Sequence, residues 1–276
     1  MKDEMKTGFF MALWLLRDYL QDIVIGGGWV PMIYYHYVVG DKNKEPIRTR
    51  DIDILTKEKV PVRGEKTLDR LLLDAGLSPI LKGHGRRPAV SYEGELEGVE
   101  VEIEFLTHQK GPKDVEIITV QENLHAQALR FISVSLENTV KVEIDDFYVG
   151  GEPRYLEVLV PTPAAFIFHK GLVFRRRNSH LKKAKDLYYI FDILANLEGM
   201  ERQIYEGIAG LKKKYPTWFK TFMKNLGEFF RKPTSEGIEL VSGQRPSNAF
   251  TGLTNDQFRL YVLGIFRDFI LKIKSR

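Results

Sequence analysis

The sequence predicts an α+β chain: a mixed sheet flanked by helices over residues 1–160, followed by a helical C-terminal domain over 161–276. Three observations carry this reading. Val99, Val101, Ile103 and Phe105 alternate with Glu100, Glu102 and Glu104, the period of a strand with one apolar and one acidic face. Phe9, Leu13, Leu16 and Leu20 recur at helical spacing, so the chain begins on an amphipathic helix. From Thr162-Pro163 onward the patterns are helical throughout, opened by an N-cap threonine and a proline at the first helical position.

Taken in order, residues 4–20 read as the first helix and Asp22–Ile25 as a short buried strand that runs into Gly26-Gly27-Gly28. Trp29–Val39 resumes as an apolar helix with Pro31 in its first turn. A polar, basic loop over 40–50 leads into the strand Asp51–Leu55, and Glu65–Ala75 reads as a helix ended by Gly76. Ala89–Tyr92 and Val99–Leu106 are expected as a hairpin turning near Glu93-Gly94, and 121–130 as a helix. Val140–Ile144 and Tyr155–Val160 read as two more strands. The C-terminal helices are expected to about Phe174, from Asn178-Ser179, and over 200–213, 216–231 and 255–274, with one long loop at 232–252.

At 276 residues the chain is long enough for two subdomains, each with a core of its own. It has no cysteine, which excludes disulfides, thiolate zinc sites and a cysteine nucleophile. The net charge of +4 is modest, so the placement of basic residues matters more than their sum. The apolar run Phe9–Leu16 is too short to span a bilayer, and Asp3 and Glu4 do not suit a secretory leader, so a cytoplasmic protein is expected. The six histidines, at 36, 84, 108, 125, 169 and 180, have no metal-ligand spacing, and no serine occupies a nucleophile elbow.

The chemistry is concentrated in four places. Asp51 and Asp53 are one residue apart in a strand, so both carboxylates share a face while Ile52 and Ile54 turn inward. Two carboxylates held that close repel each other unless a cation lies between them, and Mg²⁺ is commonly bound by one or two carboxylates plus substrate phosphates. The glycine turn offers backbone N–H groups at a helix start, a place that suits an anion, although it has neither dinucleotide nor P-loop spacing. The acidic face of Val99–Leu106 supplies a third carboxylate, with Glu104 favoured, Glu102 as its rival and Glu143 a more distant choice. The basic segment from His169-Lys170 through Arg175-Arg176-Arg177 to Lys182-Lys183 and Lys185-Asp186 straddles a helix corner, where cations can converge on phosphates.

Together these residues resemble the DNA polymerase β-like nucleotidyltransferase superfamily, whose pattern is a strand, a Gly-Gly turn, a helix, an acid-x-acid strand and a later strand with a third acid. Gly27-Gly28, Asp51-x-Asp53 and Glu104 follow that order. Gly-Gly-Trp, Arg-Thr-x-Asp-Ile-Asp and Glu-Phe-Leu-Thr look closest to stand-alone prokaryotic nucleotidyltransferases, distantly akin to AbiEii-type toxins. The likeness covers roughly residues 22–195 and none of 200–276. The third acid is a glutamate where aspartate is common in the superfamily, and the spacer between Gly28 and Asp51 is longer than in its shortest members.

The resemblance implies a nucleotidyltransferase-fold, palm-like domain over 1–160. It also implies transfer of a nucleoside monophosphate from an NTP to an acceptor, with release of pyrophosphate. Asp51, Asp53 and Glu104 would hold Mg²⁺ or Mn²⁺. Gly27, Gly28 and Thr49, with Lys170, Arg175, Lys182 and Lys185, would bind the nucleotide. A catalytically silent nucleotide- or RNA-binding module on the same fold is the alternative. Small molecule, RNA and protein acceptors, the preferred base and the oligomeric state all stay open at this stage, and no membrane partner is expected.

Overall fold

The computed structural model describes residues 4–47, 49–82, 89–111 and 116–275. Arg48 of the motif stretch and His84 lie outside the described residues. The structure is mixed α+β and divides into two compact units, one of residues 1–44 and 48–161, the other of 45–47 and 162–276.

The first unit opens with α1 (Glu4–Leu15), which buries Phe9, Phe10 and Leu13, and a 3-10 turn at Arg17–Tyr19 follows where a longer helix is expected. Next come β1 (Ile23–Ile25), a 3-10 turn at Gly27–Trp29, α2 (Val30–Ile33) and a π-helical stretch at Tyr34–Val39 that ends on Gly40. Phe9 of α1 stacks on Trp29 with ring centroids 4.2 Å apart, fixing the start of this helical run against α1. The other elements are β2 (Asp51–Thr56), α3 (Leu68–Asp74), β3 (Ser78–Lys82), β4 (Ala89–Leu96), β5 (Val99–His108), β6 (Glu116–Gln121), β7 (Leu124–Leu129), α4 (Ile132–Glu137), β8 (Thr139–Val149) and β9 (Glu152–Pro161).

The sheet runs in the order β1-β2-β5-β4-β3, with β7 also on β5 and β6 on β7, while β8 and β9 form a separate hairpin. The β2–β5 pair is parallel, as is β5–β7; β1–β2, β3–β4, β4–β5 and β6–β7 are antiparallel. Parallel strands need a long crossover, and 57–98 supplies it between β2 and β5. The far ends of that pair are tied by Thr107, whose buried hydroxyl donates to the Thr56 carbonyl at 2.9 Å.

Three local expectations are corrected. The β4–β5 hairpin turns at Glu97-Gly98, both with positive φ, and not at Glu93-Gly94. Gly94 sits inside β4, and a β-carbon there would come within 2.9 Å of Leu77, so it serves close packing and not a turn. Residues 121–130 form no helix; β6 and β7 meet at a turn through Asn123, and Leu124, Ala126 and Ala128 are buried alternately. The short run of small residues hid a period of two.

In the second unit α5 (Pro163–Val173) starts on Thr162, whose hydroxyl accepts from Ala165 N, and a 3-10 turn at Phe174–Arg176 follows. The helix α6 (His180–Asn196) is capped in the same way by Ser179. Then come α7 (Glu201–Lys214), α8 (Pro216–Phe229), α9 (Glu236–Gly243) and α10 (Asn255–Ser275). Phe168, Phe174, Phe191, Phe222 and Phe266 are buried in the core of this unit. The α9 helix occupies part of the expected loop at 232–252, because Ile238, Leu240 and Val241 are buried between the flanking proline and glycine residues.

Candidate active site

Strand β2 alternates as expected: Ile52 and Ile54 are buried, while Asp51 and Asp53 are half-buried on the other face. The parallel register sets Asp51 opposite Glu102 and Asp53 opposite Glu104 on β5. Asp51, Asp53 and Glu104 each bring one carboxylate oxygen within 4.8 Å of the others. Register alone makes Glu102 and Glu104 equal candidates, but among the described residues it is Glu104 that joins the group. Hard oxygen donors in such a set fit Mg²⁺ or Mn²⁺ better than a softer metal. Glu143 lies elsewhere, on the β8–β9 hairpin opposite Glu157.

The glycine turn closes one side of this group. Gly26 N donates to the Asp53 carbonyl at 2.8 Å, joining the end of β1 to β2. Gly27 has φ +64°, and a β-carbon on it would lie 2.1 Å from an Asp53 carboxylate oxygen. Glycine is therefore required twice over, by the backbone conformation and by the carboxylate beside it. Gly28 follows in the same 3-10 turn and is buried. Thr49 is half-buried at the entrance to β2, where its hydroxyl donates to the Asp51 carbonyl at 3.2 Å.

Along β4 and β5 the acidic face continues away from the three carboxylates. Arg50, Glu93, Gly94, Glu95, Glu100 and Glu102 line most of an open cavity of about 350 Å³. Arg50 pairs with Glu100 at 2.5 Å, and both side chains are largely exposed, so the pair adds little stability. Glu93 and Glu95 were not singled out from the sequence, because a hairpin turn was expected where β4 continues. Their signal was the alternation of acids through Glu95 once Gly94 is read as part of a strand.

In the second unit Lys170 is buried, and its ammonium donates to Asp186 at 2.6 Å. Arg177 donates to the other Asp186 oxygen at 2.7 Å, so it does not simply face water as its place in a charge run suggests. Burial raises the Asp186 carboxyl, but Lys170 and Arg177 outweigh it and hold the group below the ordinary carboxylate value. Burial lowers the neighbouring His169 to about 3, with Lys170 adding to the effect. Lys183 pairs with Glu236 at 3.1 Å. Arg175 is exposed and pairs with Glu228 at 2.5 Å. Lys182 is exposed and Lys185 half-buried.

Among the described residues no helix is long and apolar enough to cross a membrane. No curated protein matches the chain. A crystal structure of an antigenic nucleotidyltransferase-like protein from Paracoccidioides brasiliensis is similar at 17% identity over 80% of this chain and 93% of that one, with a TM-score of 0.37. The model of a nucleotidyltransferase family matches residues 15–205, a span that takes in the glycine turn, both aspartates, Glu104 and the basic corner. The chain belongs to that nucleotidyltransferase family.

Proposed function

We propose that the protein transfers a nucleoside monophosphate from an NTP to an acceptor and releases pyrophosphate. The observation that carries this is the convergence of Asp51, Asp53 and Glu104 within 4.8 Å, beside the glycine turn, in a chain of this family. The donor set fits divalent cations, which when bound supply charge stabilisation for the attacking and leaving oxygens of an in-line displacement. Asp51 and Asp53, fixed on one strand, set the spacing of the cation site, and Glu104 completes it from the neighbouring strand. The missing side chain of Gly27 makes space for the Asp53 carboxylate, and Gly27 and Gly28, in the turn that opens the helical run, would offer backbone N–H groups to a phosphate. Thr49 braces the approach to Asp51 through its hydrogen bond to the backbone. Arg175, Lys182 and Lys185 are the cations of the second unit that we assign to a phosphate-bearing substrate. Lys170, held by Asp186, acts through the shape of that corner. Kinship with AbiEii-type toxins is part of the same proposal.

The test is incubation with Mg²⁺ or Mn²⁺, each of the four NTPs and a panel of small-molecule, RNA and protein acceptors. Pyrophosphate release with label moving to an acceptor supports the reading. Free phosphate alone, or no turnover with any NTP, defeats it.

A further inference from the structure

We propose that the corner between α7 and α8 is a docking surface for the backbone of a single-stranded nucleic acid. Between Glu206 and Glu228 the chain has no acidic residue and five lysines, at 212, 213, 214, 220 and 224. The apolar residues of α7 that turn inward are Ile204, Ile208 and Leu211, after which Lys213 and Lys214 are exposed at its end. The α8 helix buries Phe219, Phe222, Leu226 and Phe229, which leaves Lys220 and Lys224 on its exposed face with Thr217 and Thr221.

Fold stability accounts for part of this charge only. Lysines in the last turn of α7 interact favourably with the negative end of the helix dipole. Lys220 and Lys224 have no such reason: they stand at i and i+4, where like charges cost stability. Lys224 has Glu228 at 3.9 Å, a long and exposed pair that offsets little. The charge of Lys220 and Lys224, which the helix does not need, is what a polyanion would neutralise.

The aromatic residues at the same corner narrow the partner. Tyr215 and Trp218 are half-exposed and stack with ring centroids 4.8 Å apart at an interplanar angle of 7°. Lys214 lies over the Tyr215 ring at 5.3 Å. Lysines around stacked rings combine the two features that single-stranded nucleic acid answers, phosphates along its backbone and flat bases. A membrane surface would ask for exposed aliphatic side chains beside the two rings, where α8 presents Thr217 and Thr221. The surface is independent of the proposed transfer chemistry and needs no metal.

The experiment is fluorescence anisotropy of a labelled single-stranded 12-mer, RNA and DNA in separate arms, with the full chain in EDTA. Binding is expected to weaken with salt, with a log–log slope of about −0.7 for each phosphate neutralised. The triple variant Lys213→Gln/Lys220→Gln/Lys224→Gln should keep the wild-type melting temperature and show a slope shallower by about 2. Trp218→Ala should weaken binding by about fivefold or more, from the loss of stacking. A triple variant that binds as tightly and with the same slope overturns the proposal. Equal competition by polyglutamate of matched charge also overturns it, since the surface would then take any polyanion. Because EDTA removes divalent ions, failure here says nothing against nucleotide transfer, and failure of transfer leaves this result standing.

Discussion

Gly27 lies so close to Asp53 that a β-carbon on it would meet a carboxylate oxygen at 2.1 Å. Gly27→Ala therefore has to shift an acid of the proposed cation site as well as strain a backbone at φ +64°. The strain alone is about 1–2 kcal/mol. Gly40 has φ +84° with nothing within 4 Å of the position its β-carbon would take, which makes it the control. Both alanine variants should melt lower, but only Gly27→Ala should lose transfer. Equal activity in the two would separate the glycine turn from the site.

Glu104 and Glu102 share a strand face, yet only Glu104 joins Asp51 and Asp53. Glu104→Gln should lower transfer to the level of Asp53→Ala, while Glu102→Gln should keep most of it. Asp53→Ala should leave stability unchanged or slightly higher, because it relieves repulsion between carboxylates. Pyrophosphate release and the rise in melting temperature on adding Mn²⁺ are the two measurements. A Glu102→Gln variant that loses both would move the third carboxylate one pleat along β5.

Asp186 is the anion between Lys170 and Arg177 in the second unit. Asp186→Asn leaves the buried Lys170 charge uncompensated, and breaking such a pair costs about 3–5 kcal/mol. Urea denaturation of the isosteric variant measures it. A loss below about 1 kcal/mol would mean that the lysine reaches water when the acid is removed.

His169 makes stability depend on pH. Its folded value is lowered to about 3 from an ordinary 6.5, so between those limits the unfolded chain binds a proton that the folded chain refuses. Stability should rise with pH through that window and level off above about 6.5. Asp186 has a lowered folded value, so its contribution is present above the ordinary carboxylate range and is lost only on further acidification. Urea midpoints from pH 4.5 to 7.5 should show a steeper slope for the wild type than for His169→Gln. Parallel slopes would remove His169 from the account.

The geometry of the candidate site was legible where it depends on local periodicity. Asp51 and Asp53 share a face because a strand repeats every two residues, and Asp22–Ile25 leads into glycines at a turn. What was not legible depends on partners distant in sequence. Register makes Glu102 and Glu104 equivalent by pattern, and only side-chain placement on paired strands separates them. Gly94 carried a turn signal, but its reason is Leu77, which no local rule identifies. The run Leu124–Leu129 is too short and too small in its side chains for helical and strand periods to be told apart. The ion-paired group of Lys170, Arg177 and Asp186 was read as a basic run, because sequence does not say which charges in a cluster are neutralised by a buried acid.

The parallel pairing of β2 with β5 has a consequence for how the protein acquires its chemistry. Asp53 and Glu104 become neighbours only after the intervening chain has folded back across the sheet, a slow kind of contact to form. A chain that has collapsed without this closure would hold two aspartates and lack the third carboxylate. If the three acids hold a divalent ion as proposed, its affinity would report on whether β2 and β5 have paired. Any ion that needs all three acids adds to the folded state's stability in proportion to the logarithm of its concentration. On the proposed function, binding of such an ion would be coupled to the pairing of β2 with β5.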